Sequence, residues 1–514
     1  MPPRLRYPLR VRLPQLTRRV HVDAHVQPPP TAPKPSVNIK AIRAAPDYHI
    51  QNCLNRNYAP LSTYPTQIVE LYDEWSNLQK ALRGDRERHN AISTQLRKAA
   101  REEKDELVKE AQALKSKIGS VEEKEKELEQ TMRQLASALP NEIHPDTPIG
   151  TEPKLLGYIN EHLAPGKIDP EKEVKSHVQI GSDLKLMDFA DAGVVSGWGW
   201  YYLLNEGVML EQALVNYALS LARSKGWSLV SPPNIVYTHM SAACGFQPRD
   251  HHGEQQSYLV NDGRHVLAGT AEIPLAGMNA NKTLSMDDFP QKVVGVGRAY
   301  RAEAGARGVD SKGLYRVHEF TKVELFAWAP PAPEQKEAKD GEEDISASTS
   351  NAFTSAEGGQ AQSAEDIFNE MLGLQKEFLT SLGLHARILE MPSTDLGASA
   401  SRKIDIEAFM PSRAKKDPWG EVSSLSNCTD YQSRRLNTRL KLEGGSGKKT
   451  TFPYTLNGTA CAVPRVMIAI LENGWDEKRE VVVIPEVLRP FMGGMEFIGR
   501  SDGKNYKHNP EEDI

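Results

Sequence analysis

Arg298-Ala-Tyr-Arg301-Ala-Glu303-Ala-Gly305-Ala-Arg307-Gly308-Val-Asp-Ser-Lys-Gly313-Leu-Tyr-Arg-Val-His-Glu-Phe320-Thr-Lys-Val-Glu324 decides the reading of this chain, because it sets cations and carboxylates between two strand-like runs. Val293, Val294 and Val296 before it, and Val323, Leu325 and Phe326 after it, alternate or cluster as buried strands do. Gly305, Gly308 and Gly313 supply the flexible turn between them. The segment predicts a β-hairpin with a long, charged, glycine-rich loop, suited to gripping a nucleotide.

Working outward, 514 residues with 39% hydrophobic content allow two or three domains, one with a sizeable core. The formal net charge is −5, so a nucleic-acid partner has to be met by a local basic surface. Cys53, Cys244, Cys428 and Cys461 stand far apart without C-x-x-C spacing, so neither a disulfide framework nor a zinc site is expected. No apolar run approaches the roughly 18 to 20 residues that span a bilayer, so no membrane partner is expected. At the amino terminus Arg4, Arg6, Arg10, Arg12, Arg18 and Arg19 are interleaved with Leu and Val, and no acidic residue precedes Asp23. That is the composition of a mitochondrial transit peptide, although Pro2, Pro3, Pro8 and Pro14 interrupt any helix. The bland alternative is a basic tail with no address. Pro28 to Pro35 read as a spacer that does not pack.

From Thr66 to Leu139 there is no proline, and apolar positions step by threes and fours, the period of a coiled coil. Ile68, Leu71, Trp75, Leu78, Leu82 and Ile92 form one run; Leu107, Leu114, Ile118, Val121, Glu125, Leu128, Met132 and Leu135 belong to the second. The phase breaks between Ala99 and Leu107, which predicts two antiparallel helices with a reversal near Arg101 to Asp105, each about 50 Å long. Lys80, Arg83, Arg86, Arg88, Arg97, Lys98 and Arg101 make the outer half of the first helix a basic stripe. Such a stripe serves either as a phosphate-binding surface or as a solvated face. Pro330 to Ser363 lacks any period and reads as a disordered surface insertion, and Gly444 to Lys449 as a short flexible loop.

Four further segments carry chemistry. Gly207 to Lys225 has one apolar face, and Trp227 to Val230 follows as a strand ended by Pro232 and Pro233. Thr270 and Glu272, two apart, would project from one side of an extended segment and could hold an ammonium between them. Glu421-Val-Ser-Ser424 offers hard oxygen ligands suited to Mg²⁺. Thr455-Leu-Asn457-Gly-Thr459 leads into a helix opened by Arg465, where side-chain charge and helix N-terminus both favour phosphate.

In this order the segments resemble the class II aminoacyl-tRNA synthetases in their seryl form, from Thr66 to about Arg500. The resemblance implies an α+β fold, a class II synthetase antiparallel sheet flanked by helices, preceded by an N-terminal antiparallel coiled-coil arm. The implied domains are a transit peptide and linker (1–45), a tRNA-binding helical arm (46–145) and a catalytic domain (146–514) interrupted by the 330–363 insertion. The hairpin is similar to motif 2, and on that likeness Arg301 holds the α-phosphate and the serine carboxylate. Glu303 and Phe320 meet the adenine, and Glu324 meets the serine ammonium. Thr270, Glu272, Asn457 and Thr459 complete the serine site, while Glu421 and Ser424 bind ATP and Mg²⁺. Arg465, of motif 3, is the second catalytic arginine and covers the adenine opposite Phe320; Pro464 stands where many relatives have Gly. The helix from Gly207 resembles motif 1, which implies a homodimer, and Arg83, Arg86, Arg88, Arg97, Lys98 and Arg101 would contact tRNA. The implied reaction is serine activation by ATP and transfer to tRNA(Ser), in the mitochondrial matrix or alternatively the cytoplasm. A synthetase-like binding protein without aminoacylation, or a coiled-coil scaffold, are the competing classes.

Overall fold

The computed structural model describes residues 29–97, 101–165, 174–246, 256–303, 313–331, 362–415, 417–442 and 449–500. The expected transit peptide up to residue 28, most of the expected insertion (332–361), the loop 443–448, Lys98 and the side chain of Arg101 lie outside that set.

The amino-terminal helices are α1 (Ile39–Ala44), α2 (Pro46–Asn55), α3 (Tyr64–Gln95) and α4 (Arg101–Ala138). The last two pack as an antiparallel pair, about 48 and 57 Å long at 1.5 Å per residue. Buried Ile68, Leu82 and Ile92 on α3 and Leu128, Met132 and Ala136 on α4 line the seam. The polar residues that interrupt the apolar period find partners across it: Asp85 meets Lys117 at 2.7 Å, and buried Glu125 meets Arg86 at 2.9 Å. Such pairs fix the register of one helix on the other, because a slip of one turn would strand a buried charge. The reversal falls before Arg101, not at Arg101 to Asp105 as the phase break implied. Arg, Glu and Lys are good helix formers and that segment holds no breaker, so α4 runs through it.

The packed unit also begins earlier than residue 46, since Ile42 of α1 is buried with Ile68, Ala136 and Leu139. The proline-rich spacer is not free of contacts either. Asn281 Nδ2 donates to the Thr31 carbonyl at 2.9 Å, and the Ser36 amide donates to the Arg434 carbonyl at 2.8 Å. The spacer opens with a turn closed by Ala32 N donating to Pro29 O at 2.8 Å, and beyond it the backbone is extended, which leaves its polar groups available to neighbours.

The larger unit is built on an eight-stranded sheet. Its strands are β1 (Lys154–Ile159), β2 (Ser228–Val230), β3 (Gln291–Tyr300), β4 (Glu319–Ala329), β5 (Ala386–Glu390), β6 (Arg402–Phe409), β7 (Trp419–Asn427) and β8 (Tyr454–Ala462). They lie in the order β1-β5-β6-β7-β8-β4-β3-β2, antiparallel throughout except for β2 beside β3. The helices are α5 (His177–Asp183), α6 (Ala190–Ser196), α7 (Glu206–Ser224), α8 (Thr238–Ala243), α9 (Glu272–Gly277), α10 (Ala364–Ser381), α11 (Tyr431–Leu436) and α12 (Val463–Asn473). Val323, Leu325, Ile404, Ile406 and Leu425 send one face of the sheet into a core completed by Leu210 and Leu214 of α7, Phe368 and Met371 of α10, and Val466 and Ile470 of α12. Phe326 and Trp328 leave the other face and pack under α8 and α9, which cover only one end of it. The charged hairpin is β3 and β4, paired from Gln291–Trp328 to Tyr300–Glu319.

Two buried arginines join the units. Arg56 is wholly buried, and its Nη atoms donate to the carbonyls of Asn141 (2.6 Å) and Gly397 (2.5 Å). Arg435 of α11 donates to the carbonyls of Ser137 and Leu139, which close the C-terminus of α4, where helix carbonyls lack intrahelical partners. A buried carbonyl left unpaired costs about 1–3 kcal/mol, so these contacts hold the arm base against the catalytic unit.

Candidate functional site

Side chains of a strand alternate between faces, and β4 therefore presents Phe320, Lys322 and Glu324 together on the half-open face. Opposite them on β3 stand Ala299, Gly297 and Gly295. The missing side chains let the segment before α9 approach: a Cβ at Gly297 would sit 3.2 Å from Ala271 Cβ. Thr459 of β8 pairs with Glu324, with one extra residue, Ala460, before the ladder resumes at Cys461. A second bulge lies in β7. Glu421 and Ser424 are three residues apart and would point oppositely in a regular strand. Val422 is the additional residue between the pairs Glu407–Glu421 and Ile406–Ser423, and it brings both side chains to one face. Carbonyls freed near the bulges are satisfied from the core side, where Gln375 Nε2 donates to Ser424 O (2.8 Å) and Thr459 O (3.0 Å).

At the α9 end the face forms a buried polar pocket. Glu272 accepts at Oε1 from Gln432 Nε2 (2.6 Å) and Asn457 Nδ2 (3.0 Å). Lys322 Nζ stands 2.7 Å from Glu324 Oε2 and donates to Thr270 Oγ1 at 3.3 Å. Ser424 Oγ and Thr459 Oγ1 are 3.2 Å apart. Two carboxyls share one ammonium out of contact with water. Burial, and then the Glu324 charge, push the Glu272 carboxyl up to about 8, and burial raises Glu324 as well. The pocket is thus short of a cation. Thr270 and Glu272 do not lie on an extended segment: Thr270 is in the bend before α9 and Glu272 is its first residue. Pro274, which fits a first helical turn, sets the chain into helix there. Lys322 and Gln432 were missed by sequence reasoning; the spacing of Lys322 from Glu324 was the one available signal.

Beyond this pocket lie the arginines. Arg301 follows β3, with its amide donating to His318 O (2.9 Å), its Nε to Gly269 O (3.4 Å), and its guanidinium carbon 5.2 Å from the Phe320 ring centre. Arg465, in the first turn of α12, meets Glu421 Oε2 at 3.1 Å, donates from Nε to Tyr315 O at 3.2 Å, and lies 4.7 Å over the Tyr315 ring. Burial and then Arg465 pull the Arg301 guanidinium down, against the charges of Glu421, Glu303 and Glu324. Burial would raise the Glu421 carboxyl, but Arg465, Lys403 and Arg301 outweigh it and hold it below the usual carboxylate range. Arg301 therefore feels both the carboxyl pocket and the Glu421–Arg465 pair. Glu303 has φ +46°, rare for a residue with a side chain, and its Oε2 accepts from Arg316 at 2.9 Å.

The arm cations are less free than the sequence implied. Arg83 pairs with Glu87, Arg86 with Glu122 and Glu125, and Arg88 with Glu110, while Arg97 is exposed. Glu110, Glu122 and Glu125 of α4 reach across the seam and Glu87 acts from α3 itself, and together they neutralise part of the stripe. Among the described residues no three His, Cys, Asp or Glu side chains gather as a metal cluster, and no helix is long and apolar enough to cross a membrane.

Residues 37–143 match the family described as seryl-tRNA synthetase N-terminal domain, and residues 258–474 the tRNA synthetase class II core domain (G, H, P, S and T). The chain is 42% identical over 388 residues to the mitochondrial serine–tRNA ligase of Saccharomyces cerevisiae, covering 75% of this chain and 78% of that protein. It is 36% identical over 458 residues to the serine–tRNA ligase of Treponema denticola, covering 89% and 97%. The seryl-tRNA synthetase of Pyrococcus horikoshii complexed with ATP superposes with a TM-score of 0.76 at 31% identity, over 90% of this chain and 99% of that one.

Glu272 yields a prediction for the unliganded protein. Its carboxyl titrates near 8 when folded and at the ordinary 4.5 when unfolded, so the folded state holds the extra proton between those values. The associated stability is fully present below the unfolded value and is lost as pH rises through the folded one. Melting temperatures measured from about pH 6 to 8.5 should fall less steeply in Glu272→Gln than in the wild type. Parallel profiles would show that Glu272 does not titrate in that window.

Proposed function

The chain belongs to the seryl-tRNA synthetase family and is an ATP-dependent serine–tRNA ligase, and from that premise we propose how its residues divide the reaction. Arg301 is the group shared by both anionic reactants. The observation that carries this reading is its station between a buried carboxyl pocket short of a cation and the Glu421–Arg465 pair. The serine ammonium supplies the missing charge beside Glu272 and Glu324, with Thr270 at its edge. The serine hydroxyl meets Thr459, with Asn457 holding Glu272 in place.

A serine carboxylate oxygen attacks the α-phosphorus of ATP, the bond to the bridging oxygen breaks, and pyrophosphate leaves with its electron pair. The ribose hydroxyl at the 3′ end of tRNA(Ser) then attacks the seryl carbonyl, and AMP leaves as its proton is lost. The first step needs no general base, because the attacking carboxylate is already ionised and a placed guanidinium can neutralise charge as it develops. Glu303 and Phe320 serve the adenine, and Arg465 the phosphates and the ring's other face. Glu421 and Ser424, brought to one face by the Val422 bulge, offer the oxygen ligands that Mg²⁺ accepts, and the ion would neutralise phosphate charge when bound. For tRNA the arm contributes Arg83 and Arg97 at its exposed surface, with Lys98 and Arg101 as further candidates.

The proposed assembly is a homodimer. Val194 (86% exposed) and Val195 of α6, Trp198, Val208 of α7 and Ile235 are exposed large apolar side chains, as is Leu229 on β2, the edge strand of the sheet, and they support a surface that a second copy would cover. The Arg-rich, acid-poor amino terminus and the mitochondrial yeast relative support mitochondrial localisation.

Arg301→Lys should lower serine-dependent pyrophosphate exchange by roughly 10² to 10³, since an ammonium cannot reproduce a planar fork; near-normal exchange in folded protein would sink the assignment. Light scattering should return about twice 57.1 kDa for the wild type and one chain for Val195→Asp. A wild type that runs as a single chain refutes the dimer. A reporter carrying residues 1–45 should enter mitochondria, and a diffuse cytosolic signal would favour the bland tail.

A further inference from the structure

Helix α12 carries Arg465 and Glu472 seven residues apart, close to two turns, so both leave the same face. Each grips the end of the charged loop. Arg465 does so directly, through the Tyr315 carbonyl and ring. Glu472 does so through His177, the first residue of α5: its Oε1 accepts from His177 N (3.0 Å) and lies 2.9 Å from Nδ1, while His177 Nε2 accepts from the Leu314 amide at 3.2 Å. An amide can only donate, so Nε2 is the bare nitrogen and Nδ1 carries the proton. The imidazole is one neutral tautomer bridging motif 3 to motif 2. Glu472 has a fully buried side chain, and the Ser412 amide (3.1 Å) and hydroxyl (2.8 Å) complete its shell.

The neighbouring backbone is shaped to this bridge. Gly313 has φ +69°, and a Cβ there would stand 2.1 Å from His177 Nε2, so that position takes only glycine while the histidine is in place. The consequence passes to Tyr315, whose hydroxyl accepts the Glu421 amide at 3.0 Å and whose ring underlies Arg465. Arg301, at the other end of the loop, is tied instead to Gly269 and His318, and Glu272 to Gln432 and Asn457. The bridge thus bears on the nucleotide side of the site and leaves the amino-acid side alone.

We propose that His177, held as a neutral imidazole between Glu472 and the Leu314 amide, is a positioning residue for ATP, setting Arg465 and Glu421 through Tyr315. This rests on the function proposed above. Its test is pyrophosphate exchange by the full chain, with KM measured separately for ATP and serine in His177→Leu and His177→Gln. Leucine fills the space but can neither donate to Glu472 nor accept from Leu314, and should raise KM for ATP about 10-fold, the worth of a lost buried hydrogen bond. KM for serine should stay within about twofold. Glutamine, whose Oε1 can accept from the Leu314 amide, should recover most of the ATP affinity. Equal shifts for both substrates, no shift, or glutamine no better than leucine would each overturn the proposal. If His177→Leu does not fold, Tyr315→Leu reads the same bridge further along, and there too an ATP-selective rise supports it while a parallel or absent one refutes it. A wild type without serine-dependent exchange would instead refute the functional reading itself.

Discussion

Side chains leave a strand on alternate faces, and the catalytic sheet uses that alternation to keep an apolar surface against α7, α10 and α12 and a charged one toward the site. Two added residues make the arrangement work. Without Val422, Glu421 and Ser424 would point to opposite faces, and without Ala460 the register of β8 on β4 beyond Thr459 would shift by one residue. Each bulge frees carbonyl groups from the ladder, and buried Gln375 reaches out of the apolar layer to bond them. A polar side chain in the core is thus explained by the geometry of the site on the far side of the sheet.

The charges on that face are placed with little water to screen them. Opposite charges about 4 Å apart interact by about 4 kcal/mol at an effective dielectric of 20, several times their value in water. Lys322 therefore belongs to the site as much as Glu324 does, because it stops the pocket from holding two unneutralised carboxyls. The arm is linked to the same region. Helix α11 holds Arg435, which closes the end of α4, and three residues earlier Gln432, which donates to Glu272.

Much of this was legible in the chain because periods of two and of three to four report directly on strands and helices. The β3–β4 hairpin, α7, the paired arm helices and the Arg465 helix all follow from such patterns. Roles for Arg301, Glu324 and Thr459 came from likeness to a family, since a lone arginine or threonine says nothing of its task. What escaped was set by contacts far apart in sequence. A one-residue bulge leaves the apolar count unchanged, so neither Val422 nor Ala460 announced itself. The pairing of Arg86 and Arg88 with α4 depends on the register of two helices, which the cations alone do not encode. Thr270 and Glu272 looked extended because two-residue spacing fits a strand as well as a bend into helix.

The seven-residue interval between Arg465 and Glu472 also constrains how this chain can change by descent. Exchanging one buried apolar side chain for another of like size between them alters packing on α12 by a methyl group or two. Adding or deleting one residue rotates everything beyond it by about 100° around the helix axis, and carries one of the two grips off the loop. Because Val466 to Leu471 are all buried, the segment should accept only apolar exchanges of similar volume and reject insertions and deletions altogether, a length constraint imposed by helical phase on top of the one imposed by packing.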